Sequence, residues 1–212
     1  MKETRKLGVP TRALRARLVV DAEHYTDLVM GLVRAAKTSL WIATANVKEL
    51  RMEAPVGTRA RARGTFVSIV ETLSALVRAG VDVRLLHGAP PSGPFRAALA
   101  KSPELRGGSR MRQCPRVHLK MIAVDGQSLY LGSANLTGAG LGAKGEGRRN
   151  FEMGMVTDDE LWLDAAQAHF DRIFSGKECK GCKLRRVCPK PLDQVPASSV
   201  APASKRRKVR AP

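Results

Sequence analysis

A stretch of eighteen residues restricts the fold and the chemistry of this chain more than any other. It contains His118, Lys120, Asp125, Ser133 and Asn135 in the pattern H-x-K-x4-D-x6-G-S-x-N. Alternate residues of a strand share one face, so we expect the imidazole and ammonium groups to lie together. If the following strand returns antiparallel, the hydroxyl and amide groups come close to them. A histidine, a lysine, a serine and an asparagine at one point make a phosphate site that needs no metal.

This pattern resembles the HKD motif of the phospholipase D superfamily. All six fixed positions, Gly132 among them, occur at the family spacing, and the order of the predicted elements agrees with that family over residues 18–175. The resemblance implies a two-step reaction on a phosphodiester, in which His118 attacks phosphorus and becomes a phosphohistidine. A second histidine protonates the leaving oxygen and then activates water.

The resemblance also implies roles for the other groups of the site. Lys120 and Asn135, assisted by Ser133, neutralise the charge on the non-bridging oxygens. Asp125 mainly holds a turn in place. Glu152 occupies the position of a carboxylate that orients the catalytic histidine in the family. This reaction needs no cofactor.

The reaction requires two such motifs, and this sequence carries one. The remaining histidines, His24, His87 and His169, lack the companion lysine and the Gly-Ser-x-Asn segment. Single-motif members of the family pair two chains across a two-fold axis. The resemblance therefore implies an isologous homodimer in which each chain donates half of the site.

Hydrophobic spacing predicts an α/β fold with a mixed β-sheet flanked by helices. A strand at 39–47, a helix capped by Thr65 and a strand at 81–86 form a strand–helix–strand unit, whereas the polar residues 48–64 predict a loop. The other predicted elements are a helix after Asp21, strands at 117–124, 128–132 and 150–156, and a helix capped by Asp158 or Asp159. The predicted organisation is a basic N-terminal arm at 1–17, a catalytic domain at 18–176, a cysteine-containing segment at 177–190 and a flexible basic tail at 191–212.

The net charge of +18 predicts a polyanionic partner, nucleic acid first and an anionic membrane surface second. Residues 96–120 hold seven Lys and Arg against one acid and lead into the motif. Such side chains contact a phosphate backbone without reading its sequence. Aromatic residues make up only 4% of the chain, which argues against extensive base stacking. The candidate contacts are Arg110, Arg112, Arg116, Lys144, Arg148 and Arg149.

The four cysteines form a second candidate site. Cys179, Cys182 and Cys188 follow the pattern C-x2-C-x5-C, and Cys114 is the remaining one. A chain without an export signal usually keeps its thiols reduced, which argues against disulfides. Four thiolates suffice for a structural zinc ion or a [4Fe–4S] cluster, and the spacing is similar to the iron–sulfur staple of some RecB-type nucleases. Zinc, an iron–sulfur cluster and free thiols all stay open.

The sequence indicates less about the location and the substrate of the protein than about its fold. No apolar stretch reaches the length of a membrane span, and the first residues show no signal peptide, so we expect a cytoplasmic protein. The run KRRKV at Lys205–Val209 resembles a nuclear localisation signal, which allows a nuclear location in a eukaryote. Three functions stay open: a nucleic-acid phosphodiesterase, a phospholipase D or phosphatidyl transferase acting on lipids, and a non-catalytic nucleic-acid-binding module.

Overall fold

The computed structural model describes residues 12–54, 56–107 and 110–194. The strands are β1 (Ala16–Val20), β2 (Ser39–Thr44), β3 (Arg51–Glu53), β4 (Phe66–Ser68), β5 (Asp82–His87), β6 (Met111–Gln113), β7 (Met121–Val124), β8 (Ser128–Gly132) and β9 (Met153–Thr157). The helices are a π-helix at His24–Val33, α1 (Arg59–Ala62), α2 (Ile69–Arg78), α3 (Gly93–Ala100), α4 (Pro103–Arg106), α5 (Glu160–Phe174) and a 3-10 turn at Leu192–Gln194.

The described residues form a seven-stranded sheet in the order β1-β9-β8-β7-β2-β5-β6. β5 runs parallel to both β2 and β6, whereas the other neighbouring strands are antiparallel. β3 and β4 form a separate antiparallel pair. The prediction of an α/β fold with a mixed sheet flanked by helices is confirmed.

Alternating side chains of the central strand β2 divide the core between the two faces of the sheet. Leu40 and Ile42 belong to a buried cluster that includes residues of the π-helix, α2 and α3. Ala43 belongs to a second cluster, with Leu163 and Phe170 of α5. Helices cover both faces of the sheet, so they pack against both sides of the strands that flank the motif.

The segment between β2 and β5 differs from its prediction. β3 and β4 pair with each other where the sequence predicted a loop and then a helix capped by Thr65. α2 begins only at Ile69, and the Ser68 hydroxyl caps it by accepting a hydrogen bond from the Val70 N–H at 3.0 Å. A strand of three residues is too short to show the alternating pattern of a β-strand. The apolar residues of β4 also fit the spacing of the following helix, so the predicted helix began too early.

The predicted boundary of the N-terminal arm, at residue 17, falls inside β1. This strand pairs with β9 along its whole length. Two arginines before it bind the residues that precede α5, Arg12 to Asp159 at 3.2 Å and Arg15 to Asp158. The chain from residue 12 onward therefore belongs to the folded domain.

The remaining terminal predictions fall outside the described residues. These are residues 1–11 of the predicted arm, residues 195–212 of the predicted tail and the basic run at Lys205–Val209. The tail was predicted to begin at residue 191, but Leu192 is buried and its carbonyl accepts from Arg112, so residues 191–194 belong to the folded part of the chain. Across the described part of the chain, no helix has both the length and the apolar character that crossing a membrane requires.

Candidate active site

Two motif side chains are in direct contact immediately before β7. The Lys120 Nζ atom lies 3.1 Å from His118 Nδ1 and 3.1 Å from the His118 carbonyl oxygen. An ammonium group only donates, so the imidazole accepts. The predicted strand at 117–124 begins only at Met121, yet the expected proximity of the two side chains is present. The imidazole is exposed, as a group that attacks an external substrate must be.

The start of the Gly-Ser-x-Asn segment is hydrogen-bonded to Lys120. The Gly132 N–H donates to the Lys120 carbonyl at 3.2 Å, and Ser133 follows directly. The Ser133 hydroxyl donates to the Glu152 carboxylate and accepts from the Met153 N–H at 3.0 Å. A hydroxyl has one proton to donate, so Ser133 must leave Glu152 before it can donate to a phosphate oxygen.

Glu152 lies beside the motif, as the sequence predicted, but its contacts are with other groups than the histidine. One carboxylate oxygen accepts from Ser133 and the other accepts from the Asn150 amide at 3.0 Å. Its own N–H donates to the Asp21 carboxylate at 2.9 Å. In this arrangement Glu152 positions the hydroxyl of Ser133, and its action on His118 stays a prediction.

Asn135 is oriented by residues at the end of β2. Its amide oxygen accepts from the Asn46 N–H at 3.1 Å and lies 3.3 Å from the Thr44 hydroxyl. The Thr44 hydroxyl also accepts from the Leu136 N–H at 3.0 Å. Because a backbone N–H can only donate, it fixes the amide oxygen, and the NH2 group of Asn135 is the end that can donate to an oxyanion.

Thr44 and Asn46 are site residues that sequence reasoning missed. Thr44 is the last residue of β2 and Asn46 lies two residues beyond it, in the run Ile-Ala-Thr-Ala-Asn. Polar groups at the end of a central strand are a signal for a site, and this signal was present. Thr44 is 1% exposed, so its hydroxyl serves the protein interior and acts on a substrate only through Asn135.

The glycine of the motif has a packing reason in this chain. A Cβ atom at Gly132 would lie 2.2 Å from the hydroxyl oxygen of Tyr130, and one at Gly154 would lie 2.4 Å from its ring. The Tyr130 hydroxyl is 2.9 Å from Nε2 of His24, which is fully buried. Burial raises the pKa of Tyr130 to about 12. Two glycines thus make room for a buried tyrosine–histidine pair beneath the site.

Asp125 ties the turn between β7 and β8 to the start of β2. Its carboxylate accepts from the backbone N–H groups of Lys37, Thr38 and Ser39 at 2.8–3.0 Å, and from the Thr38 hydroxyl at 3.0 Å. Burial opposes ionisation, but these bonds outweigh it and lower the pKa of Asp125. The geometry is that of a structural clamp, and it holds the antiparallel strands that carry the motif.

All four cysteines line one cavity of about 460 Å³, and His118 lines it as well. Each of Cys114, Cys179, Cys182 and Cys188 is a free thiol. Among the residues that the structure describes, no three His, Cys, Asp or Glu side chains are grouped closely enough to hold a metal ion. The segments containing these cysteines are therefore adjacent, with their thiols distributed around the cavity.

The predicted nucleic-acid contacts divide into exposed and buried groups. Arg112 is 3% exposed, and its guanidinium donates to the Phe174 carbonyl at 2.5 Å and to the Leu192 carbonyl. This burial removes Arg112 from the candidate contacts, because it joins β6 to the chain beyond α5. Charge counting missed this because an arginine in a basic run has the same sequence signature whether buried or exposed. Arg116, Lys144 and Arg148 are exposed, whereas Arg110 and Arg149 are partly buried.

The family model described as "Cardiolipin synthase, PLD-like domain" matches residues 29–175, which is more than half of the chain. The chain belongs to this family and thus to the phospholipase D superfamily. The family sets the general chemistry, which is cleavage or transfer at a phosphodiester.

Solved structures with a similar fold have distant sequences. The phospholipase D family member Nuc from Salmonella typhimurium is 18% identical, with a TM-score of 0.48 over 75% of this chain and 93% of that chain. NucT from Helicobacter pylori is 17% identical, with a TM-score of 0.49 over 76% and 95%. Phosphatidylserine synthase from Haemophilus influenzae is 14% identical, with a TM-score of 0.46 over 76% and 38%. No curated protein shows significant sequence similarity to this chain.

Proposed function

We propose that this chain is a metal-independent phosphodiesterase that cleaves nucleic acid through a phosphohistidine. The observation that carries the proposal is the exposed His118 imidazole with the Lys120 ammonium 3.1 Å from its Nδ1. A ring nitrogen of His118 attacks phosphorus, and the bond to the leaving oxygen breaks as a second histidine gives that oxygen a proton. Water, deprotonated by the same second histidine, then attacks the phosphohistidine and releases His118.

Charge stabilisation in this reaction falls to two donors. The Lys120 ammonium and the NH2 group of Asn135 provide N–H bonds to the non-bridging oxygens. The Asn135 amide is held in advance by Asn46 and Thr44, which lowers the cost of reorganisation when charge develops. Ser133 is a third donor once its proton leaves Glu152.

The second histidine comes, in this proposal, from a second copy of the chain. An apolar edge of three exposed side chains adjoins Glu152, with Phe151 95% exposed, Met153 58% and Leu18 56%. Exposed apolar groups of this size are typical of contact surfaces. A two-fold contact through this edge brings the site regions of two chains towards each other. His169, which lines the same cavity as His118, is the alternative source within one chain.

Nucleic acid is favoured as the substrate by the exposed cations beside the motif. Arg116 is two residues before His118, and Lys144 and Arg148 lie in the loop between Asn135 and Glu152. Three cations near a phosphate site suit a partner with several phosphates in a row. The family description gives a reason to test phosphatidyl transfer as the second candidate.

An activity panel in excess EDTA tests the proposal. The substrates are single- and double-stranded DNA, RNA, and vesicles of phosphatidylglycerol. We expect nucleic-acid cleavage that survives EDTA and disappears in His118→Ala and Lys120→Ala. Activity retained in His169→Ala would support a second histidine from another copy of the chain, whereas its loss there would place that histidine within one chain. Turnover of lipid alone would replace the proposal with the phosphatidyl transferase, and salt-sensitive binding without turnover would replace it with a binding module.

A further inference from the structure

The four cysteines of the chain come together from two distant segments. Cys114 lies between β6 and His118, whereas Cys179, Cys182 and Cys188 lie in the segment after α5. No other cysteine exists in the sequence, yet all four line the same cavity. Cysteines placed only for packing have no reason to collect around one space, so their convergence points to a shared ligand.

Tight turns shape the segment after α5, and its three thiols all line the cavity. The Cys179 N–H donates to the Gly176 carbonyl at 2.9 Å, and the Cys182 N–H donates to the Cys179 carbonyl at 3.2 Å. Gly176 and Gly181 have φ values of +80° and +77°, which favour glycine. These consecutive turns replace regular secondary structure around the cysteines.

This segment has little apolar core of its own to hold it. Val187 is 76% exposed and Leu184 is 40% exposed, and the remaining side chains are largely basic. Ordering such a chain costs backbone conformational entropy at every residue. The buried Arg112 holds its two ends, at Phe174 and Leu192, and partly exposed ion pairs of Glu178 and Arg185 hold it in between. A ligand bound by the cysteines would add a stronger constraint in the middle.

The charges around the cavity suit a group held by thiolates. Arg116, Arg172 and Arg185 line it together with the cysteines. Arg172 pairs with Glu178 at 2.7 Å and Arg185 pairs with Asp193 at 2.5 Å. A metal bound by four thiolates carries net negative charge. Because Arg172 and Arg185 already pair with carboxylates, Arg116 is the lining cation that we expect to offset this charge.

We propose that Cys114, Cys179, Cys182 and Cys188 bind one metal centre through four thiolates, either a zinc ion or a [4Fe–4S] cluster. Both use the same chemistry, which is ligation of a thiophilic metal by deprotonated sulfur. Binding draws the four sulfur atoms inward from the cavity wall and releases their protons.

The centre has a consequence for the neighbouring motif. Cys114 is four residues before His118, and both line the cavity. A metal bound to Cys114 therefore anchors the segment that carries the imidazole to the chain beyond α5. The centre takes no part in the chemical step and acts by positioning that segment.

The test uses the full-length protein, expressed with iron and zinc supplied and purified without oxygen. We expect either about one zinc per chain, or about four iron and four acid-labile sulfide with broad visible absorption. X-ray absorption at the metal edge should show sulfur neighbours only, at about 2.3 Å. Chains that contain neither metal, or that contain disulfides between these cysteines, would overturn the proposal even if every variant folds.

Single substitutions identify the ligands. Cys114→Ser and Cys182→Ser should each lose most of the metal and lower the melting temperature, while Lys183→Ser, an exposed change on the same loop, should keep both. Full metal content in Cys114→Ser would refute a centre that spans the two segments. Metal content is read without any substrate, so failure of the nuclease proposal leaves this result unaffected.

Discussion

Replacing Thr44 with valine tests the claim that the end of β2 orients Asn135. Thr44 is 1% exposed, its hydroxyl accepts from the Leu136 N–H at 3.0 Å, and it lies 3.3 Å from the Asn135 amide oxygen. Valine has a similar shape without the hydroxyl. The Thr44 hydroxyl also donates to the Asn46 carbonyl at 2.9 Å. The change therefore removes three polar contacts and leaves the packing of β2 nearly intact.

The expected cost can be worked out contact by contact. An unsatisfied buried N–H at Leu136 costs about 1–3 kcal/mol, and each kcal/mol lowers the melting temperature by about 2–4 °C in a domain of this size. Thr44→Val should therefore melt about 2–12 °C lower. The Asn46 carbonyl and the Asn135 amide oxygen share the one proton of the Thr44 hydroxyl. These two contacts together are worth about 0.5–1.5 kcal/mol, and the Asn46 N–H still holds the amide. If all of this free energy is lost from the transition state, kcat/KM falls about two- to twelvefold, because each 1.4 kcal/mol corresponds to a factor of about ten.

Thermal unfolding and steady-state cleavage measure the two effects separately. Thr44→Ser keeps the hydroxyl and should retain kcat/KM close to that of the parent, despite some loss of stability from the missing methyl group. If Thr44→Val melts with the parent, or if Thr44→Ser loses as much activity as Thr44→Val, the positioning argument is wrong.

Three further predictions address the contact edge, the motif glycine and the clamp. Phe151→Asp should convert a dimer to a monomer in light scattering and lose activity, since it charges the apolar edge; a parent chain that is already monomeric and active would contradict the shared site. Gly132→Ala should cost about 1–3 kcal/mol through overpacking, because its Cβ meets the Tyr130 hydroxyl, and in urea unfolding Tyr130→Phe should relieve part of that cost; additive losses would exclude the clash. The lowered pKa of Asp125 means that its clamp contributes stability at neutral pH and loses it as pH falls below about 4. Asp125→Asn should flatten that acid dependence in unfolding measured from pH 3 to pH 7, and an unchanged acid profile would count against the clamp.

The sequence predicted best the elements and contacts that depend on residues close together in the chain. The strand at 128–132 and the last helix after Asp159 are present as predicted. The approach of Lys120 to His118 also followed from spacing alone, because two residues of extended chain place neighbouring side chains together even without a partner strand. Glu152 was placed beside the motif by the resemblance to the family.

What the sequence did not reveal depends on contacts between distant residues. The β3–β4 pair is too short to leave an alternating pattern. The roles of Thr44 and Asn46 require knowing that β2 ends beside Asn135. The burial of Arg112 requires knowing that two carbonyl groups, at Phe174 and Leu192, face it. No local pattern in the sequence records such pairings.

The register of the sheet joins the beginning of the domain to its end. Among the described residues, the first strand, β1, lies at the edge of the sheet and pairs with the last strand, β9. Contacts between residues far apart in sequence slow folding, because the loop between them must close first. During synthesis β7 and β8, which lie between His118 and Asn135 in the sequence, are made before β9. The outer edge of β8 therefore has no partner strand until the chain has been made as far as residue 157.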